Sequence, residues 1–309
     1  MAVDRVPVLV GPTGIGKTAV ACALSGHWDL EIVSADSRQV YRRLDIGTAK
    51  PTREWRDRIP HHGLDLVDPG ERYSAGRFAR DATRWIEGIR ARGRQPVVVG
   101  GTGLYIRALC EGLFAEPPLD SARRRQLSAW TSELSVPELI RWAARLDAGF
   151  AGGGRQRAER AIEVALLTGR PLSFWQANAR KVGTVKPWYV VLNAPRPVLH
   201  QRIEARARDM VQHGMIEEVA AVLAEEGLTP NAAGLDAIGM REAVDYLQGR
   251  RTRESIPEAI SLSTRQYAKR QSTWFRHQLE GTVLALDATR SPEALAQEIA
   301  AAWALAIGR

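Results

Sequence analysis

The first hundred residues alternate short apolar runs with helical patterns. VPVLV, residues 6 to 10, is a continuous apolar stretch bounded by Gly and Pro, which predicts a strand buried on both faces. TAVACALSG then predicts a helix stopped near Gly26. A second apolar run, Glu31 to Ala35, ends at Asp36, and a third, PVVVGG, ends at Gly100. Between them Ser74 is placed to cap SAGRFARDATRWIEGIRARG, where Phe78, Ala82, Trp85, Ile86 and Ile89 keep helical spacing. Strands and helices alternating at these lengths predict an α/β protein with a parallel sheet and helices on both faces.

From about Pro117 to Arg180 the texture changes to helical segments without strand signals, around a loose AGFAGGGRQ. WYVVLNA, Trp188 to Ala194, restores a strand, and one long helical stretch follows from Pro197 to about Glu226. The final LAQEIAAAWALAIG predicts an amphipathic packing helix. The expected organisation is an α/β core of residues 1–116 and 181–309 carrying a helical insertion, 117–180, with no internal repeat.

Composition narrows the class. A chain of 309 residues can bury a large core plus an appendage. No apolar run approaches the roughly 18 residues of a bilayer span, and the N-terminus lacks the pattern of a secretory signal, so a cytoplasmic protein with no membrane partner is expected. The charge balance, 43 Lys and Arg against 35 Asp and Glu, gives +8. That excess is compatible with a polyanionic partner, but only its distribution can decide. Cys22 and Cys110 sit in apolar sequence and are expected to be small buried hydrophobes. His61 and His62 are adjacent, point apart on most backbones, and are expected to be structural.

The chemistry concentrates in GPTGIGKT, Gly11 to Thr18. This is a complete G-x-x-x-x-G-K-T phosphate loop between a predicted strand and a predicted helix, which makes the core P-loop NTPase-like. Gly11, Pro12, Thr13, Gly14, Ile15, Gly16, Lys17 and Thr18 would wrap a phosphate with backbone N–H groups, a lysine charge and a hydroxyl suited to Mg²⁺. An ATPase also needs an acid at the end of another strand. The strand at 97–99 ends in GGTGLY and offers none. The acid is instead Asp36, which suits either a base toward an incoming nucleophile or a cap of the turn SADS.

Together with the loop, SADSRQVYRRLDIGTAKP (34–51), HHGLDLVDPGERYSAGRF (61–78) and GGTGLY (100–105) resemble the tRNA dimethylallyltransferase family, the tRNA isopentenyltransferases. RQRAERAIEVALLTGRPLS, RIEARARDMVQHGMIEEV, AIGMRE and TRQYAKRQSTWFR continue the resemblance in collinear order, up to about the last thirty residues. It implies that the loop holds dimethylallyl diphosphate instead of ATP. The C5 group would pass to N6 of the adenine just 3′ of the anticodon, position 37, in tRNAs reading codons that begin with U.

The same resemblance implies roles for particular residues. Asp36 would be the base that accepts the N6 proton, Thr18 a ligand of Mg²⁺, and Arg206 a stabiliser of the leaving diphosphate, with Arg202 one turn earlier on the same helix. Asp36, Ser37, Arg38, Gln39, Thr102, Arg124, Gln156, Arg157, Ala158, Glu159 and Arg160 would contact the tRNA anticodon stem-loop. In TRQYAKRQSTWFR, cations would face RNA while Tyr267, Trp274 and Phe275 either stack on bases or pack inward. A monomer is expected. The rival readings are a P-loop small-molecule kinase and a noncatalytic RNA-binding protein.

Overall fold

The computed structural model describes residues 5–113, 119–178 and 183–308. Six strands are formed, β1 Arg5–Val10, β2 Leu30–Ala35, β3 His61–His62, β4 Gln95–Gly100, β5 Lys186–Asn193 and β6 Val283–Asp287. The helices in chain order are α1 Lys17–Ala23, α2 Arg53–Arg58, α3 Ala75–Ala91, α4 Gly103–Cys110, α5 Ser121–Glu133, α6 Val136–Leu146, α7 Arg155–Thr168, α8 Leu172–Asn178, α9 Arg196–Gln212, α10 Met215–Leu223, α11 Met240–Leu247, α12 Ile256–His277 and α13 Pro292–Ala306.

The chain separates into two compact units, one of residues 1–110 and 184–309, the other of 111–183. The expected division points at 117 and 180 lie outside the described residues. In the first unit the strand order is β3-β2-β4-β1-β5-β6, and every pairing is parallel. β1 is central, with Val8 opposite Val98 on one side and Tyr189 on the other. Val6, Val8 and Val10 are fully buried and Leu9 is nearly so, which explains the unbroken apolar run: both sheet faces are covered.

On one face, Leu9, Ile32, Val97, Val190 and Leu286 pack with Val20 of α1 and Leu295, Ile299 and Trp303 of α13. Alternation along the strands turns Val8, Val33 and Val98 the other way, toward the side covered by α3. α3 buries Phe78, Ala82, Ile86 and Ile89, and Phe78 stacks on Tyr105 of α4 with ring centroids 4.5 Å apart. Each such large side chain contributes roughly 1.5–3 kcal/mol through burial. Ser74 caps α3 by accepting from the Arg77 N–H at 3.2 Å.

The helix expected from Pro197 to Glu226 is two helices. α9 ends at Gln212 and α10 starts at Met215, with Gly214 between them at φ +96°, a left-handed turn that residues with a Cβ rarely adopt. β3 and β6 were not anticipated. β6 is short, and its apolar run VLAL is only partly buried at the sheet's edge.

Among the described residues, the regular elements of the second unit are the helices α5 to α8. Leu139, Ala143, Ala158, Ala161, Ile162, Val164 and Leu172 form its core, with Trp130 and Trp175 packed against them. Asp147 is buried and accepts from Ser173 N at 2.9 Å, Ser173 Oγ at 2.5 Å and Gly149 N at 2.9 Å, tying the end of α6 to the start of α8. Ser135 and Glu138 form a reciprocal capping box on α6.

Candidate active site

The carboxyl ends of β1, β2 and β4 open on one edge of the sheet, where parallel α/β folds place their ligands. Between β1 and α1 the octet forms the phosphate loop, with Gly14 at φ +77° and Gly16 at φ +103°. The N–H groups of Gly14, Gly16, Lys17 and Thr18 have no acceptor among the described residues. Lys17 donates from Nζ to the carbonyls of Gly11 at 2.9 Å and Pro12 at 2.8 Å, folding back over its own loop. Burial brings its pKa down to about 8, against the pull of Asp36 and helped by the nearby Arg206 charge. The Thr18 side chain is exposed and its hydroxyl is unpaired among the described residues. Ile15 is 1% exposed, so it serves the loop by backbone alone.

Asp36 follows β2 directly. Its Oδ1 accepts from the Arg38 N–H at 2.8 Å, so the residue does cap its turn. The other carboxylate oxygen has no hydrogen bond among the described residues, and cap and base are compatible in one side chain. Ser37 N donates to Thr102 Oγ1 at 3.0 Å, and Thr102 N to Ala35 O at 3.2 Å, which pins the loops after β2 and β4 together. Gln39 accepts from Ser34 Oγ at 2.9 Å and donates to Ala49 O at 3.1 Å. Arg38 reaches Ala233 O at 3.4 Å.

Loop and carboxylate face one cavity of about 610 Å³, lined among others by Thr13, Lys17, Thr18, Asp36, Arg38 and Arg206. Ile203, Ala207 and Met210 of α9, Ile238, and Ile260 of α12 supply an apolar wall in the same space. A cavity of about 40 Å³ adjoins Thr18, Asp36 and His61.

The two arginines of α9 differ. Arg202 donates to Ile15 O at 3.1 Å and Ala288 O at 2.9 Å, bracing the loop against the end of β6. Arg206 makes no hydrogen bond to another described residue. Burial lowers its pKa, while Asp36 and Asp209 work in the opposite direction. It is the cation of this pair free to meet a ligand.

Of the remaining expected RNA contacts, Arg124, Gln156, Arg157, Ala158, Glu159 and Arg160 all belong to the helical unit. Ala158 has a side chain fully buried in that unit's core, so side-chain contact with RNA is ruled out. Arg124 and Arg160 both pair with Glu163, Glu159 with Arg155 at 3.0 Å, and Gln156 and Arg157 are exposed. Phe275 is buried, Trp274 packs over Gly103, and Tyr267 lines the cavity with Arg270 above its ring at 5.7 Å. His61 Nδ1 lies 2.6 Å from Ile59 O, and His62 pairs with Glu31 at 2.7 Å.

Several supporting residues escaped sequence reasoning. Glu218 of α10 accepts from three successive N–H groups, those of Asp45, Ile46 and Gly47, at 2.6, 2.8 and 3.0 Å. Lys50 is buried and donates at 2.6 Å to each of Tyr41 O, Asp45 and Asp65. These hold the segment Gly47–Thr48–Ala49 that lines the cavity. Met240 is fully buried against Gly47. Glu218 lies more than 170 residues from the N–H groups it holds, and the partners of Lys50, though nearer, follow no helical or strand spacing.

A parallel sheet with a phosphate loop, a carboxylate across from it and an apolar wall in the same cavity defines a group-transfer enzyme of the P-loop class. The family model for IPP transferase matches residues 39–278 and that for isopentenyl transferase residues 4–58. A tRNA dimethylallyltransferase from Halorhodospira halophila is 44% identical over 91% of this chain and 93% of its own length. One from Koribacter versatilis is 42% identical over 88% and 90%. Among solved structures, the tRNA isopentenylpyrophosphate transferase of Bacillus halodurans has a TM-score of 0.71 at 33% identity, covering 98% of this chain and 96% of its own. A eukaryotic dimethylallyltransferase acting on tRNA has a TM-score of 0.73 at 27% identity, covering 92% and 74%. The chain belongs to the tRNA dimethylallyltransferase family, and the kinase reading is not favoured.

Proposed function

We propose that this protein transfers the dimethylallyl group of dimethylallyl diphosphate to N6 of adenine 37, beside the anticodon, in tRNAs reading codons that begin with U. The observation that carries the reading is the single cavity in which phosphate loop, Asp36, Arg206 and an apolar wall meet. Diphosphate fits the unpaired N–H groups and Lys17, and a five-carbon chain fits Ile203, Met210 and Ile260. It acts as a cytoplasmic monomer.

In the reaction the allylic C1–O bond breaks, C1 bonds to N6, and one N6 proton leaves. Positive charge develops on the prenyl carbon as diphosphate departs, so the protein's task is to hold the leaving group and aim the amine. Lys17 and Arg206 stabilise the departing charge. The unbonded carboxylate oxygen of Asp36 accepts the N6 proton, while Oδ1 stays on the Arg38 N–H and fixes the group's orientation. No group of three His, Cys, Asp or Glu among the described residues could hold a metal unaided. The free Thr18 hydroxyl is an oxygen donor suited to Mg²⁺ carried chiefly by diphosphate and water. Such an ion would neutralise the leaving group.

The adenine must leave its stack, at a cost of a few kcal/mol. Ser37, Arg38, Gln39 and Thr102 border the reacting end, while Arg124, Gln156, Arg157, Glu159 and Arg160 offer further polar contacts to the anticodon arm.

The test is transfer of label from dimethylallyl diphosphate to unmodified tRNA with Mg²⁺ and no ATP. Label on the adenine beside the anticodon is expected. ATP consumption with phosphorylation of a small metabolite, and no label on RNA, would replace this reading with the kinase.

A further inference from the structure

α12 crosses the sheet edge and turns Ile260, Thr264, Tyr267, Arg270 and Gln271 toward the cavity. Gln271 is 7% exposed, and both polar atoms of its amide are used. Oε1 accepts from the Thr13 N–H at 2.8 Å, and Nε2 donates to Gly101 O at 2.8 Å. One side chain thus joins three separate pieces: the phosphate loop, the loop after β4, and the helix that carries Tyr267 and Arg270. Gly101 leaves room for it, since a Cβ there would lie 2.5 Å from Nε2.

Three side chains bond to the backbone of the phosphate loop among the described residues: Lys17, Arg202 and Gln271. The bonds of Lys17 to the Gly11 and Pro12 carbonyls use two of its three donors and compete with a bound diphosphate for the same ammonium. From outside, the loop is held by Arg202 at Ile15 and by Gln271 at Thr13. The Thr13 N–H points to α12, and this bond fixes the Pro12–Thr13 peptide plane while leaving the N–H groups of Gly14, Gly16, Lys17 and Thr18 for the ligand. An uncharged amide meets both demands, one donor and one acceptor, without placing a charge beside a site built for an anion.

We propose that Gln271 is a positioning residue that latches the phosphate loop to α12 and presets it for the diphosphate of the prenyl donor. The naming of the donor rests on the function proposed above; the latch itself concerns any diphosphate. Its effect is on donor binding, since the bonds of Gln271 run to the backbone of Thr13 and Gly101 and to no group assigned to the reacting carbon or the base.

The experiment uses the full chain with Gln271→Met, which keeps length without donor or acceptor, and Gln271→Glu, which keeps the acceptor but loses the donor and adds a charge. Inorganic diphosphate binding is measured by calorimetry, and KM and kcat are measured for dimethylallyl diphosphate and an anticodon stem-loop RNA. Gln271→Met is expected to weaken diphosphate binding and raise the donor KM about tenfold, with kcat within about threefold of wild type. Gln271→Glu is expected to bind diphosphate at least as poorly at neutral pH, and to regain affinity relative to wild type toward pH ~5, where the protonated acid again offers one donor and one acceptor. That pH-linked rescue decides the matter if the methionine variant does not fold. Unchanged diphosphate affinity in Gln271→Met, or a Gln271→Glu defect independent of pH, would overturn the latch. A wild type that binds diphosphate yet transfers nothing to RNA would overturn the functional reading and leave the latch to be judged by the binding arm.

Discussion

Replacing Lys50 by methionine should loosen the wall of the active site while leaving its chemistry in place. The ammonium is 1% exposed and makes three hydrogen bonds of 2.6 Å, to the Tyr41 carbonyl and to the carboxylates of Asp45 and Asp65. Charge-assisted bonds of this kind contribute about 1.5–3 kcal/mol each. Methionine relieves the ammonium's desolvation, and Asp45 and Asp65, at 50% and 37% exposure, rehydrate readily. The net loss is therefore about 3 kcal/mol, at the lower end for breaking a buried ion pair. The segment Asp45–Ala49 would then depend on Glu218 and Gln39 for side-chain support from outside it. Urea unfolding should show a lower midpoint, and the KM for stem-loop RNA should rise about tenfold at a nearly unchanged donor KM. A destabilisation under about 1 kcal/mol with unaltered RNA kinetics would refute the idea that this buried lysine sets the loop.

Three other outcomes follow from the same geometry. The kcat/KM for dimethylallyl diphosphate should fall as pH rises through about 8, where free Lys17 loses the charge that attracts diphosphate, and Lys17→Arg should shift or remove that limb; a flat profile to pH ~10 would contradict the assignment. Glu31 is held down to about 2, first by hydrogen bonds from Arg92 and then by His62 and Arg94, against burial. Its folded value lies below the unfolded one, so its contribution of about 2 kcal/mol is present above pH ~4.5 and lost as pH falls toward 2; the stability gap between wild type and Glu31→Gln should close over that window in pH-dependent unfolding. Arg206→Ala should lower kcat about a hundredfold or more in steady-state assays, whereas Arg202→Ala should mainly lower the unfolding midpoint, because Arg202 is committed to two carbonyls.

The inner strands were legible because parallel strands buried on both faces show as unbroken apolar runs, and VPVLV and PVVVGG fall within a residue of β1 and β4. The phosphate loop was legible because its chemistry is local. Asp36 could be located but not assigned from the residues alone, since its role depends on Lys17, Arg206 and the cavity, all brought to it by tertiary structure. The apolar run of β6, VLAL, is only four residues long and its strand is partly exposed at the sheet's edge, and the break at Gly214 was masked by helical composition on either side. Gln271, Glu218 and Lys50 are ordinary polar residues in a linear view. What sets them apart is burial and full hydrogen bonding across 170 residues or more for Gln271 and Glu218. Ala158 shows a converse limit, where a block of similar sequence includes a residue whose side chain is buried in the core beside exposed neighbours.

The most direct test of the account is single-turnover prenyl transfer to an anticodon stem-loop by Asp36→Asn. The amide keeps an oxygen to accept from the Arg38 N–H, so the turn is preserved, but it cannot take the N6 proton. The account predicts transfer slowed by roughly 10²–10⁴ with diphosphate and RNA binding within a few-fold of wild type. Transfer at the wild-type rate would show that Asp36 only caps its turn and that the proton leaves by another route.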